Sequence, residues 1–326
     1  MEDNKFMKLC ILMPVYNDMK VAELLIEQLD NVLDGQRIMT TILLIDDGST
    51  EPLNSEFLEK PLKSIFAVDI IHLQKNLGHQ RAIAVGLTHI NEKYPCDAVI
   101  VMDADGEDKP EDVPRLIKRF KDLGSNKIVF AERLRRSEGF VFKVSYKIYQ
   151  IMHYLLTGIP VKVGNFSILP YDRLSALVLV SELWNHYAAA VFSSRLPYET
   201  LPTMRGNRLG GKSTMNFTAL VLHGLSAISV FTDIAGVRLL LFTFFLSFVL
   251  SVSLFMIFLV RVTSVILIPA WLSYSTVFLL ILLLQISGGC FGMVFFILMN
   301  RINLNFIPKR DCTHFIGSVK RVYISE

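Results

Sequence analysis

Cysteine is scarce: the four present, Cys10, Cys96, Cys290 and Cys312, show neither a CxxC spacing nor a clustering suited to a metal. That excludes a disulfide framework and a thiolate metal centre, and leaves reduced thiols packed as small hydrophobes. An excess of either charge is also lacking. With 33 basic against 30 acidic residues the formal net charge is +3, too small to suggest nucleic acid or another polyanion as a partner. No secretion leader is expected, because the apolar stretch after Lys8 is short and ends in Pro14.

What is there changes along the chain. Up to about Asp233, short apolar runs alternate with polar ones, as in a soluble domain. From Val237 to Val260 only Arg238 is charged, and Trp271–Met299 has no charge. A membrane-spanning helix needs about 20 apolar residues, and both runs are long enough. The loop between them carries one basic residue, Arg261, whereas the tail carries Arg301, Lys309, Arg310, Lys320 and Arg321. The positive-inside bias places that tail in the cytosol, and an even number of spans places the N-terminal part there too. The expected organisation is an α/β domain at 1–212, a juxtamembrane amphipathic helix at 213–236, a transmembrane hairpin at 237–299 and a basic cytosolic tail at 300–326. Phe140–Leu156 mixes aromatic, aliphatic and lysine side chains, and Phe217–Phe231 is apolar with scattered Ser, Thr and His; both suit a membrane interface.

The N-terminal part reads as α/β. Strands are expected at Lys8–Met13, Ile42–Ile45, Val68–Leu73, Ala98–Met102, Lys127–Phe130 and Tyr198–Met204. Helices are expected at Val21–Leu33, at Gln80–Glu92 and from Pro110, with Asp108 as a cap. Alternating strands and helices imply a mostly parallel sheet covered on both faces, with ligands beyond the carboxyl ends of its strands. Those ends are polar: Pro14-Val15-Tyr16-Asn17-Asp18, Asp46-Asp47-Gly48-Ser49-Thr50, Asn76-Leu77-Gly78-His79 and Asp103-Ala104-Asp105-Gly106-Glu107-Asp108. Residues two apart in extended chain point the same way, so Asp103, Asp105 and next along Glu107 can face one hard cation. Alone, a DxD tripeptide is usually a solvated turn; in line with three other polar strand ends it reads as a site.

The order PVYND, DDGS, NLG, DADGED resembles the family 2 glycosyltransferases of GT-A fold, and among them the polyisoprenyl-phosphate glycosyltransferases related to dolichyl-phosphate mannose synthase. The likeness continues through Arg133 and Arg136, Gly164-Asn165-Phe166 and Arg205–Met215. It implies a nucleotide-sugar donor bound by Pro14, Tyr16, Asp18, Asp46, Asp47, Asn76, Gly78 and Asp103. It implies Mg2+ or Mn2+ on Asp103, Asp105 and Glu107, with Glu107 standing where many relatives have Gln. Arg133, Arg136 and Arg205 would meet a lipid phosphate, and Arg208, with Asp103 and Asp105, would serve the transfer itself. Arginine suits that work because its fork binds phosphate oxygens in pairs.

The sequence departs from the family at His79 (commonly Lys), Asn165 (commonly Asp), Ser167 (often Arg) and Thr214 (often Lys), which puts the substrate's identity in question. His79 has two readings, a helix-start residue bonded to backbone or a ligand contact. Gly206–Ser213 fits a Walker A loop in full, but its only Walker B candidate, the strand ending at Asp103, precedes it. The reading that follows is inverting transfer of a sugar from a nucleotide-sugar to a polyisoprenyl phosphate by an integral membrane protein of the inner membrane or its equivalent, with no nucleic-acid partner and self-association through the membrane helices. The alternatives are another lipid or a polysaccharide as acceptor, a P-loop NTPase, and a non-catalytic membrane scaffold. The absence of a Gln-x-x-Arg-Trp string separates the chain from the processive synthases.

Overall fold

Apolar residues fill both alternating sets of positions in Leu9–Met13, the pattern of a strand buried on two faces. The computed structural model describes residues 6–51, 60–133, 140–160, 163–210, 217–263, 270–302 and 306–325. In it this run is the centre of β1 (Met7–Val15), followed by α1 (Met19–Leu33), β2 (Ile38–Asp46), β3 (Ile65–Leu73), α2 (His79–Lys93), β4 (Ala98–Val101), α3 (Asp112–Asp122) and β5 (Ile128–Arg133). Then come α4 (Phe140–Thr157), β6 (Val163–Pro170), α5 (Tyr171–Leu177), α6 (Tyr187–Ser193), β7 (Tyr198–Thr203), α7 (Phe217–Ser229), α8 (Thr232–Thr263), α9 (Ala270–Ile302) and β8 (Ile316–Ile324). The chain divides into two units, one of Met1–Lys147, Val161–Val230 and Asn305–Glu326, the other of Ile148–Pro160 and Phe231–Leu304.

The first unit is built on an eight-stranded sheet of order β7-β5-β6-β4-β1-β2-β3-β8. It is the mostly parallel α/β sheet expected of a GT-A domain: β6 runs antiparallel to β4 and β5, β8 runs antiparallel to β3, and the other pairings are parallel. Leu9, Ile11, Met13 and Val15 of β1 enter one core with Leu25, Ile26 and Leu29 of α1 and Val113, Leu116 and Phe120 of α3. Cys10 and Leu12 enter a second core on the opposite face, with Ile83, Val85 and Leu87 of α2, Leu174 of α5 and Tyr187 of α6. Both faces are therefore dry, which is why the central strands carry no polar alternation. The α3 start differs from expectation. Asp108 caps no helix; its carboxylate accepts from the Asp103 amide at 3.0 Å, and α3 begins at Asp112.

The C-terminal tail, read from sequence as a basic segment, supplies the edge strand β8. Its anchor is Arg321, whose Nε and Nη2 donate to the two carboxylate oxygens of Asp69 at 2.7 and 2.8 Å. Tyr94 donates a third bond to Asp69 at 2.7 Å. Asp69 is 1% exposed in β3. Burial alone would push its carboxyl up; Arg321 and Tyr94 more than reverse that and hold it below its ordinary value. Trp184 stacks on Phe306 with ring centroids 4.1 Å apart and tilts against Phe315, closing the tail over the α2 side.

The second unit is helical. Thr232–Val260 (29 residues) and Tyr274–Phe296 (23 residues) are long and apolar enough to cross a bilayer, and their most apolar windows are not buried inside the protein. Phe244 is 70% and Phe291 78% exposed, the reverse of a soluble core helix. The Thr243 hydroxyl and Cys290 thiol lie 2.6 Å apart and link α8 to α9. Arg238, the one charge in the first run, donates to the carbonyls of Tyr154 and Leu155 at 3.2 and 2.9 Å near the end of α4, where the Tyr154 carbonyl also accepts from the Gly158 amide at 2.8 Å.

Arg321→Ala leaves Asp69 buried with Tyr94 as its remaining side-chain donor, and is expected to cost about 2 kcal/mol, less than for a fully buried pair because Arg321 itself is half exposed. The wild-type contribution is present above the ordinary carboxylate range and lost as pH falls through the lowered Asp69 value. Denaturation of the detergent-solubilised protein at pH 7 should therefore separate the two proteins, and the gap should shrink on strong acidification.

Candidate active site

Strand order reverses at the β1–β4 pair, so the chain leaves these neighbours in opposite directions and opens a crevice at their carboxyl ends. Three loops meet there. After β1 the chain passes Tyr16, exposed, and Asn17 at φ +55°, a left-handed conformation that asparagine tolerates. The Asn17 amide donates to Ser49 Oγ at 2.9 Å, and its side-chain oxygen accepts from the Thr50 amide at 2.8 Å, tying the β1 and β2 loops together. Asp46 accepts from the Ser49 amide at 2.9 Å and lies 2.7 Å from His72 Nδ1. Asp47 accepts from the amides of Leu77 and Gly78 at 2.6 and 2.8 Å; even so, burial holds its carboxyl above the ordinary value. Gly48, at φ +72°, lies so close to Asn76 that a Cβ would stand 2.9 Å from its amide nitrogen.

The loop after β4 carries the acids. Asp105 accepts from the Glu107 amide at 3.0 Å, which winds the loop around Gly106 at φ +82°. A second stretch, after β7, lies along it: the Gly206 amide donates to the Glu107 carbonyl at 2.8 Å and the Leu209 amide to the Asp105 carbonyl at 2.9 Å. That contact brings the arginines in. Arg205 donates to the Glu107 carboxylate through Nε at 2.9 Å and also through Nη2. Arg208 Nη2 donates to Asp18 at 2.5 Å, and its Nη1 stands 3.5 Å from Asp105 Oδ2. Asp105 is held above its ordinary value by burial first and by the charge of Asp103 second.

An aspartate raised by the charge of its neighbour marks a natural seat for a hard cation, and the carboxylate oxygens of the two are the ligand type Mg2+ and Mn2+ prefer. Asp103 and Asp105 fit such an ion in chemistry. The Glu107 carboxylate is turned to Arg205, and among the described residues no group of three or more acidic, imidazole or thiol side chains is gathered as a ready metal centre.

Beside the acids lies a ring of neutral hydrogen bonds. His79, the first residue of α2, has Nε2 3.2 Å from Asp103 Oδ1 and 3.0 Å from Asn165 Nδ2. Burial pulls His79 toward the neutral form, but the Asp103 carboxylate outweighs it and raises the imidazole above its ordinary value. Asn165 Oδ1 accepts from Gln80 Nε2 at 3.2 Å, and Gln80 Oε1 accepts from the Tyr187 amide at 2.8 Å. Ser167 Oγ donates to the Asn165 carbonyl at 2.9 Å and lies 2.8 Å from the Tyr187 hydroxyl, closing the circuit.

The structure thus brings Asp18, Asp103, Asp105, Glu107, Arg205 and Arg208 together, with Asp46, Asp47, Asn76 and Gly78 on adjoining loops. Asp46 and Asp47 are buried and turned to backbone and His72, so they shape the loops from within. Pro14 lies inside β1, one residue before its end. The backbone of Arg133 ends β5 in register with Thr203; Arg136, Lys212 and Thr214 lie outside the described residues. Glu132, beside Arg133 in β5, accepts from Thr200 at 2.9 Å. His79 meets side chains rather than the backbone expected of a helix-start residue. Sequence reading missed Gln80, Tyr187 and His72, since nothing local to them signals a polar partner far along the chain.

A sequence model of glycosyl transferase family 2 matches residues 10–175, just over half of the chain. The chain belongs to that family. An uncharacterised glycosyltransferase, YkcC, of Bacillus subtilis strain 168 is 26% identical over 228 residues, covering 68% of each chain. The undecaprenyl-phosphate 4-deoxy-4-formamido-L-arabinose transferase of Salmonella choleraesuis, a polyisoprenyl-phosphate glycosyltransferase, is 28% identical over 151 residues, covering 46% of this chain and 44% of that protein. The match therefore spans less than half of that relative. Among solved structures, glucosyl-3-phosphoglycerate synthase from Mycobacterium tuberculosis aligns with 71% of this chain and 80% of its own, at 15% identity and a TM-score of 0.48.

A side chain at Gly106 would place its Cβ 2.4 Å from Leu209 Cγ, besides taking on a left-handed backbone that costs an L-residue roughly 1–2 kcal/mol. Gly106→Ala is expected to lower the midpoint of thermal unfolding, and adding Leu209→Ala should recover the steric share while leaving the backbone share. Equal stability of Gly106→Ala and wild type would show that the two loops do not pack as described.

Proposed function

We propose that the chain transfers a sugar from a nucleotide-sugar to a polyisoprenyl phosphate held in a membrane, with inversion at the anomeric carbon. The observation that carries the reading is the pairing of Arg208 with Asp105 and of Arg205 with Glu107, on the loop that also carries Asp103, at the crevice of a family 2 glycosyltransferase sheet. Two bilayer-length apolar helices in the same chain, and the undecaprenyl-phosphate acceptor named for one relative, support a lipid acceptor. Tyr16 and Asp18 would line the nucleotide pocket with Pro14, Asn76 and Gly78, while Asp46 and Asp47 keep its loops in shape.

In the reaction, a lipid phosphate oxygen forms a bond to the anomeric carbon as the bond from that carbon to the nucleoside diphosphate breaks. The attacking phosphate is already anionic at neutral pH, so no side chain has to remove a proton. Asp103 and Asp105 would hold a divalent cation, which would supply charge neutralisation for the departing diphosphate. Arg205 and Arg208 exchange their carboxylate partners for phosphate oxygens and hold the reacting groups in line. Arg133, the last residue of β5, and Arg136, three residues on, take the lipid phosphate. For topology, the first unit contains residues on both sides of the apolar pair, and β8 is hydrogen-bonded to β3. Two spans between them return the chain to the side it left, and the tail's arginines and lysines make that side cytosolic.

Asp103→Asn should abolish transfer from a panel of radiolabelled nucleotide-sugars into extracted lipid without unfolding the protein. EDTA should do the same to wild type, and Mn2+ or Mg2+ should restore it; full activity in excess EDTA rules out the cation. Tags before Met1 and after Glu326 should both be shielded in sealed right-side-out cells and both exposed on permeabilisation. Opposite accessibility refutes the two-span arrangement.

A further inference from the structure

Helix α2 ends at Lys93, and the chain turns through Tyr94, Pro95 and Cys96 on its way to β4. There the first residues of β1, β2 and β3 line a cavity of about 350 Å³, together with that turn and Arg321 of β8. It lies at the amino ends of the parallel strands, whereas the crevice opens at their carboxyl ends. Its volume falls at the lower end of the range for small-molecule sites.

The lining pairs apolar surface with charge of one sign. Met39 is 39% and Phe66 36% exposed, two large apolar side chains meeting water in one hollow. The charged members are all basic: Lys8, Lys93 and Arg321. The other ionisable members are neutral at pH 7. Burial pushes the Cys96 thiol up to about 12 and the Cys10 thiol well above its ordinary value. Burial, with the Asp69 carboxylate next, raises the Tyr94 phenol. Asp69 offsets one cation, Arg321, but takes only its Nε and Nη2, which leaves Nη1 to donate elsewhere. Asp97 accepts from the Lys8 backbone amide at 2.7 Å. The ammonium groups of Lys8 and Lys93 form no ion pair among the described residues. Cations gathered at an apolar hollow repel one another, and an anion among them relieves that.

We propose that this cavity binds a small anion with a flat apolar body, such as an aromatic phosphate or carboxylate. Its head meets Lys8, Lys93 and Nη1 of Arg321, and its ring lies on Met39 and Phe66. Charge complementarity selects the anion. The volume, room for one or two rings, selects a compact body over a lipid chain. Because Arg321 belongs to β8, the site is complete only once the C-terminal strand has paired with β3. It shares no residue with the crevice, and the inference does not rest on the transfer reaction.

The probe is 1-naphthyl phosphate, titrated into the full-length protein in phosphatidylcholine nanodiscs with its 12 methionines 13C-labelled at the methyl. Met39→Leu identifies the Met39 resonance, which the ring current of a bound naphthalene should shift saturably. An unmoved Met39 overturns the proposal. Neutral 1-naphthalenemethanol should need at least about tenfold more to reach half-saturation, as should inorganic phosphate to displace the probe, since each makes half of the contact. A neutral compound that binds as well as the phosphate removes the anion from the argument, and the proposal with it. Lys8→Gln combined with Lys93→Gln should weaken the probe about tenfold. Unmoved resonances of the other methionines in that variant verify its fold, and wild-type affinity there overturns the proposal. Arg208→Ala tells this site from the crevice: the Met39 response should persist, and its loss assigns the probe to the crevice instead. Discs that also carry phosphatidylglycerol should leave the titration unchanged. If that lipid moves Met39 or displaces the probe, the partner is an anionic membrane and the small-anion reading fails.

Discussion

A carboxylate withdrawn from water at the edge of a sheet must find a donor, and that requirement organises the crevice. Asp47 binds the two amides just before α2, Asp46 holds Ser49 and His72, and Asp108 holds the amide of Asp103. Asp18, Asp105 and Glu107 meet guanidinium groups from a loop about a hundred or more residues further along. Unpaired, each would carry a desolvation cost that the marginal stability of a domain could not absorb repeatedly. The fold answers by sorting them. Carboxylates deep in the loops are closed off by backbone, whereas those at the mouth are paired with arginines that can trade one anion for another.

That sorting explains the reach of the sequence. The two-faced apolar strands announced the central sheet because burial on both sides removes every polar residue from Leu9–Met13 and Ala98–Val101. Asp103 and Asp105 were legible for the same reason, as acids following directly on a dry strand. The strand β6 was not, since Gly164, Asn165 and Ser167 look like loop; their polarity is satisfied by Gln80 and Tyr187, and only the folded chain shows it. Nor was β8, whose side chains are mostly exposed and carry edge-strand charges in place of an apolar alternation. The arginine pairings with Asp18 and Glu107 are contacts between distant segments and leave no local trace.

Arg238 shows how a lone charge in an apolar run is accommodated. Its guanidinium bonds two carbonyls near the end of α4, so the charge has polar partners on a helix whose exposed large side chains are aliphatic and aromatic. Read from sequence it is an interruption of a span; in the fold it fastens one helix to another.

The pairing of β8 with β3 has a consequence for how the protein is made. Asp69 and the open edge of β3 wait for a strand that the ribosome delivers after both apolar helices have been synthesised. Until then the nascent domain presents an unpaired edge and a buried anion with one partner missing, the condition that invites non-native strand pairing. Maturation of the sheet is thereby coupled in time to disposal of the hydrophobic hairpin. A chain cut before the hairpin would forfeit the strand that completes its own globular half, so solubility is not gained simply by removing the apolar third.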